Sequence, residues 1–165
     1  MDHEGDRDDD DGDEGDEDEA DEACVATFYF ASNRPGGPGL EDIYASTVSD
    51  DWTFSPPVLV PELSSALTDT FPTPRRDGRE LVLTSNRAGT LGLTDLWVST
   101  RASTSDPWSA PVNLGPIVNS AVFDGRGVIS YDMKSLYLYS NRPGTVGETD
   151  VWVSARSKRK GKKKD

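Results

Sequence analysis

The sequence predicts an all-β fold built from a repeated unit of four short antiparallel strands. Three observations carry that prediction. The string SNRPGGPGLEDIYAS at 32–46 returns as SNRAGTLGLTDLWVS at 85–99 and as SNRPGTVGETDVWVS at 140–154, at spacings of 53 and 55 residues, the size of one structural unit in a repeat array. Each copy begins just after a short apolar run, FYF at 28–30, LVL at 81–83 and LYL at 136–138, of the aromatic and aliphatic composition that strands favour. Glycine and proline interrupt every window long enough to carry a helical period, which excludes a helical solenoid.

Within each unit the apolar run, a glycine-rich turn such as RPGGPG, and a second run (DIYAS, DLWVS or DVWVS) make a β-hairpin. Side chains alternate between the faces of a strand, so Leu81 and Leu83 oppose Val82, and Leu96 and Val98 oppose Trp97. Both faces are therefore apolar, as expected of a sheet covered on both sides, here by neighbouring copies of the unit. An outer strand led by tryptophan is expected in WTFSPPVLV at 52–60 and WSAPVNLG at 108–115, and an opening strand in FPTPRRDG at 71–78 and VISYDMKS at 128–135. Four-stranded sheets repeated in this way describe the blades of a β-propeller. About two and a half to three blades fit, over residues 25–62, 66–116 and 120–155; the first lacks its opening strand and the last its closing one.

The flanks differ in kind. The net charge of −13 is dominated by residues 1–22, which hold 15 of the 30 acidic side chains and one arginine, Arg7. Residues 1–24 have almost nothing apolar to bury and read as a disordered acidic tail. Residues 156–165 carry seven basic groups and read as a disordered basic tail. No aromatic residue interleaves with its lysines, so specific nucleic-acid recognition is not expected. Asp9, Asp11, Gly12 and Asp18 approach a calcium loop, but Arg7 stands at the first ligand position. That leaves only weak, delocalised calcium binding as an expectation for the tail. Cys24 has no partner cysteine, and no run approaches the length of a membrane helix or the apolar segment of a signal peptide.

The string DGRELVLTSNRAGTLGLTDLWVST at 77–100, followed by Trp108 and PVNLG at 111–115, resembles the WD-repeat-like β-propeller repeat of TolB-like bacterial proteins, over roughly residues 25–155. Ala88 departs from the proline of the other two copies, Pro35 and Pro143. The resemblance implies a periplasmic or surface-associated binding scaffold, and so an extracytoplasmic location. With no signal segment in the chain, that location carries the expectation of a truncated start.

Asn33, Asn86 and Asn141 recur at one place in the repeat, as do Arg34, Arg87 and Arg142, and Asp42, Asp95 and Asp150. Catalysis needs one asymmetric set of groups with different pKa values, whereas a residue present in every unit does a job that every unit needs. These nine are therefore expected to be structural, the aspartates satisfying turn amides and pairing with the neighbouring arginine. Tyr44, Trp97 and Trp152 share one position and are expected in the core between units. The only histidine is His3, so no histidine-based triad is available. No catalytic, cofactor-binding or metal-binding residue is assigned, and no cofactor is called for. The function expected is a non-catalytic binding or interaction module with an unidentified protein or glycan ligand. The alternative is a carboxylate glycoside hydrolase or lyase, for which the acidic residues taken as unrepeated, Glu62, Asp69, Glu80 and Asp124, are the candidates. An array of three units leaves its end sheets uncovered, expected to expose Phe28, Phe30 and Ile43 at one end and Val151, Trp152 and Val153 at the other. Head-to-tail self-association or completion by further blades follows from that.

Overall fold

The computed structural model describes residues 26–156. Ten strands cross them: β1 (Ala26–Ser32), β2 (Asp42–Val48), β3 (Val58–Leu59), β4 (Asp69–Pro74), β5 (Glu80–Ser85), β6 (Asp95–Thr100), β7 (Val112–Asn113), β8 (Asp124–Ile129), β9 (Ser135–Ser140) and β10 (Asp150–Ala155). No helix occurs among the described residues. The strands form three antiparallel meanders, β1-β2-β3, β4-β5-β6-β7 and β8-β9-β10. Among the described residues the middle sheet has four strands, while the first has no opening strand and the third no closing one. The repeated string sets one register in all three, with Ser32 opposite Asp42, Ser85 opposite Asp95 and Ser140 opposite Asp150.

The sheets stack in chain order, and no strand of the first touches a strand of the third. Leu81, Leu83 and Trp97 form one core with Ile43 and Leu63, against which Tyr29 and Ala31 pack. From the opposite face of the same sheet, Val82 and Leu96 join Leu138, with Leu136, Ile129 and Trp152 packed around them. All six residues of β5 are consequently buried, which accounts for a strand apolar on both faces. The alternation also corrects two expected exposures. Ile43 is fully buried against the middle sheet, and Trp152 packs against it from the other side. Val151 and Val153, on either side of Trp152, point outward. The uncovered faces are formed by Phe28, 53% exposed, with Phe30 and Phe54 at one end, and by Tyr137, Tyr139, Val153 and Val151, 60% exposed, at the other.

The opening strands begin earlier than expected, at Asp69 and Asp124. Glycine conceals the second of them. A Cβ at Gly127 would lie 2.8 Å from Val82 and 3.0 Å from Leu96, so the missing side chain lets β8 lie directly on the middle sheet. Both opening strands carry a β-bulge at the same place, with Phe71 and Arg126 in left-handed backbone (φ 49° and 54°). The outer strands are only two residues long, and their tryptophans are not equivalent. Ser46 donates to the Ser55 carbonyl and Ser99 to that of Ser109, each at 2.6 Å, which makes Phe54 the counterpart of Trp108. Trp108 is buried on Tyr29 of the first sheet (ring centroids 5.9 Å apart), whereas Trp52 sits in an exposed turn.

Candidate interaction site at the sheet junctions

The chain passes from one sheet to the next through two related segments, LSSALTD at 63–69 and VNSAVFD at 118–124. Each is bound on both sides. Towards the preceding sheet, Ser64 Oγ accepts from the Ile43 amide at 3.0 Å, and Asn119 brackets Leu96, accepting from its amide at 2.9 Å and donating to its carbonyl at 3.0 Å. The Leu67 carbonyl accepts from Leu40 N and that of Val122 from Leu93 N, at 2.9 and 3.1 Å. The backbones approach so closely there that a Cβ at Gly39 or Gly92 would fall 2.0 or 2.1 Å from those carbonyl oxygens, so only glycine fits.

Towards the following sheet, each segment ends in a fully buried aspartate. Asp69 Oδ2 accepts from Ser65 N, and Asp124 Oδ2 from Ser120 N, both at 2.5 Å. The other oxygen, Oδ1, pairs with Arg87 Nη2 or Arg142 Nη2 at 2.5 Å. The same Nη2 also donates to the carbonyl at the head of the segment, Leu63 at 2.6 Å or Val118 at 2.7 Å. Each arginine is aimed by its own strand. Its Nε donates to Ser85 Oγ at 3.1 Å or Ser140 Oγ at 3.0 Å, and its guanidinium lies 5.5 Å from the Trp97 ring or 5.3 Å from the Trp152 ring. Asn86 and Asn141 accept from the amide just before the aspartate, Thr68 N at 2.9 Å and Phe123 N at 3.0 Å. Burial opposes ionisation of Asp124, but hydrogen bonds from Ser120, Ser140 and Arg142 outweigh it and hold the carboxyl below its ordinary value.

The repeated hairpin aspartates do satisfy turn amides: Asp42 accepts from Gly39 N at 3.2 Å, Asp95 from Leu91 N at 2.7 Å and Asp150 from Val146 N at 2.6 Å. The expected pairing with the neighbouring arginine does not occur. The serine clamp on Nε turns the guanidinium across to the opening strand, and Asp95 takes Asn113 Nδ2 as its side-chain partner at 2.6 Å. Nor are Asp69 and Asp124 unrepeated. Each stands sixteen residues before the serine that opens the repeated string and four after a Ser-Ala dipeptide, the sequence signal that marks it.

Among the described residues, the first sheet has the arginine and asparagine of this junction without the segment. Arg34 Nε donates to Ser32 Oγ at 3.0 Å, and the guanidinium lies 4.7 Å from the Tyr44 ring and 5.1 Å from the Phe30 ring. Among the described residues, neither its terminal nitrogens nor the Asn33 side chain has a hydrogen-bond partner. At the far end, Gly147 stands at the place of Gly39 and Gly92, and a Cβ there would meet only Asp150 Oδ1, at 3.8 Å.

The remaining carboxylate candidates are occupied or solvated. Glu80 lines a cavity of about 190 Å³ between the middle and third sheets, with Oε2 held by Arg75 at 2.9 Å and Oε1 by Arg156 at 3.0 Å. Arg156, expected in the basic tail, is thus tied to the folded part. Glu62 is exposed. Asp77, half-buried in the β4–β5 turn, is held well below the usual carboxylate range by hydrogen bonds from Arg75 and the Arg79 amide. No group of three potential metal-binding side chains occurs among the described residues, and none of their helices could cross a membrane, as they form none. The expected calcium binding by residues 1–24, His3, Cys24 and the lysines of the basic tail lie outside the described residues.

No family model matches the chain, and no curated protein matches it. Among solved structures it is similar to an α-L-arabinofuranosidase from Lactobacillus brevis, at 17% identity and a TM-score of 0.51. The likeness covers 79% of this chain and 51% of the enzyme's, so this chain spans about half the length of that neighbour. At this identity the likeness concerns the fold alone: an all-β chain of three stacked antiparallel sheets.

Proposed function

We propose that residues 26–156 are successive blades of a TolB-like β-propeller and that the chain is a non-catalytic interaction module of an envelope or secreted protein. The observation that carries this reading is the fate of the acidic side chains. Asp69 and Asp124 are fully buried and committed to arginines at the junctions, and Glu80 is bracketed by two more. What the molecule offers outward is an unfilled copy of its own junction and two apolar end faces, which are features of association. The same polar residues in the same roles in successive sheets serve cohesion, as residues of a single asymmetric site would not.

The likeness to an arabinofuranosidase favours a second reading, a carboxylate glycoside hydrolase. Such an enzyme needs two carboxyl groups of unequal pKa about 5 to 9.5 Å apart across an open cleft. Of the four candidate carboxylates Glu62, Asp69, Glu80 and Asp124, Glu80 lines a cavity, and both of its oxygens are engaged by guanidinium groups. Incubating the purified chain with aryl arabinofuranosides and arabinose-containing polysaccharides separates the two readings. No turnover above buffer is expected; turnover that Glu80→Gln abolishes would overturn the non-catalytic reading.

A further inference from the structure

Among the described residues, the β1 edge is a junction without its segment. In the second and third sheets, Arg87 and Arg142 hold an aspartate and a carbonyl of the incoming segment, and Asn86 and Asn141 hold the amide just before that aspartate. Arg34 and Asn33 repeat both residues, with the same serine clamp on Nε at 3.0 Å and the guanidinium set against Tyr44 and Phe30. Such a guanidinium is pre-aimed, so a carboxylate arriving there meets an oriented donor at little further cost in side-chain entropy. The strand itself has room, since among the described residues β1 pairs only with β2 and none lies along its other edge. The apolar residue that heads the segment also has a seat. Leu63 is buried beside Leu83 and Trp97, and Phe30 and Tyr44 hold the corresponding places in the first sheet.

We propose that this edge captures, by strand addition, an extended segment of a partner polypeptide with the pattern apolar, Ser or Asn, Ser, Ala, apolar, any residue, Asp, its aspartate pairing with Arg34. The proposal rests on the interaction-module reading and names the kind of partner. Within residues 1–165 both segments of this pattern, 63–69 and 118–124, are already in use, and a second copy would have used its own in the same way, which favours a segment of a partner polypeptide. Residues 1–25 contain neither serine nor asparagine and do not supply the pattern.

The test is fluorescence anisotropy with a labelled peptide of residues 116–129, PIVNSAVFDGRGVI, titrated with the full chain. The peptide is expected to bind, and replacing its aspartate by asparagine, or Arg34 by alanine in the protein, to weaken binding roughly tenfold or more, the loss of one charge-assisted hydrogen bond. Asn33→Ala, which removes no side-chain hydrogen bond among the described residues, is expected to weaken it to a smaller degree. No binding up to about 1 mM peptide, or binding indifferent to both the aspartate and Arg34, overturns the proposal. So does self-association of the chain that Arg34→Ala dissolves, since a second copy would then occupy the edge. Such failures leave the non-catalytic reading standing; that reading falls only on glycan turnover, measured separately on the same preparation.

Discussion

Asp124 shows how a repeated residue is kept ionised without water. Its carboxyl is fully buried, a placement that costs a lone charge several kcal/mol, roughly, and is tolerated only with close partners. Ser120, Ser140 and Arg142 supply them and leave the carboxyl more acidic than in an unfolded chain, where it would titrate near 3.8. The stabilisation from ionised Asp124 is therefore fully present above that pH and is lost as pH falls through the lower value of the folded state. Urea midpoints taken between pH 6 and pH 2.5 should fall at the acid end, and less steeply for Asp124→Asn than for the parent; equal slopes would mean that this carboxyl is not linked to folding. Asp95→Ala should lower stability by about 1 to 3 kcal/mol, because the Leu91 amide and Asn113 Nδ2 lose their acceptor. Equilibrium unfolding in urea measures it, and a parental midpoint would contradict the turn role. The sequence made Asp95 conspicuous because it lies inside the repeated string. Asp124 lies outside that string, in a segment that shares only a Ser-Ala dipeptide and the aspartate with its counterpart, and its partnership with Arg142 spans 18 residues, so the pairing of β8 with β9 is what reveals it.

At the scale of elements, the hairpins were legible and their flanks were not. A Gly-rich turn between two apolar runs fixes β1-β2, β5-β6 and β9-β10 by local chemistry alone, down to the serine–aspartate pair that closes each hairpin. The opening strands break that pattern with Phe71 and Arg126 in left-handed backbone and with Gly125 and Gly127 inside β8, because what β8 needs is a close approach to Val82 and Leu96. Shared tryptophans misaligned the outer strands for a related reason. Phe54 and Trp108 fill the same place, but only Trp108 has a preceding sheet to pack against. The junction glycines offer a matched experiment. Gly92→Ala should cost at least about 2 kcal/mol, since a methyl group there meets the Val122 carbonyl, whereas Gly147→Ala in the third sheet should stay within about 0.5 kcal/mol of the parent. Thermal melts of the two variants decide it; equal losses would mean that the glycines serve the turns and not the junctions.

The molecule as a whole is a run of sheets whose ends resemble its own interior. Tyr137 and Val151 correspond to Tyr29 and Ile43, which face the middle sheet, while Phe28 and Phe30 correspond to Leu81 and Leu83, which face the first. Those four stand uncovered or half-covered where their counterparts are packed, so the folded chain should bind an apolar dye, and Val151→Ser with Val153→Ser should reduce the signal without lowering the melting temperature. An unchanged signal would place the sticky surface elsewhere. The central claim is that one arginine, repeated three times, fastens the incoming segment and opening strand to the hairpin in two places and stands open in the third. Urea unfolding of Arg142→Ala beside Arg34→Ala tests it most directly. Removing Arg142 strands the buried Asp124 carboxylate and should cost about 3 kcal/mol, whereas removing Arg34, which pairs with no carboxylate among the described residues, should leave the unfolding midpoint close to that of the parent. Equal losses at the two positions would contradict the account, because the arginine would then be serving its own hairpin and not the junction between sheets.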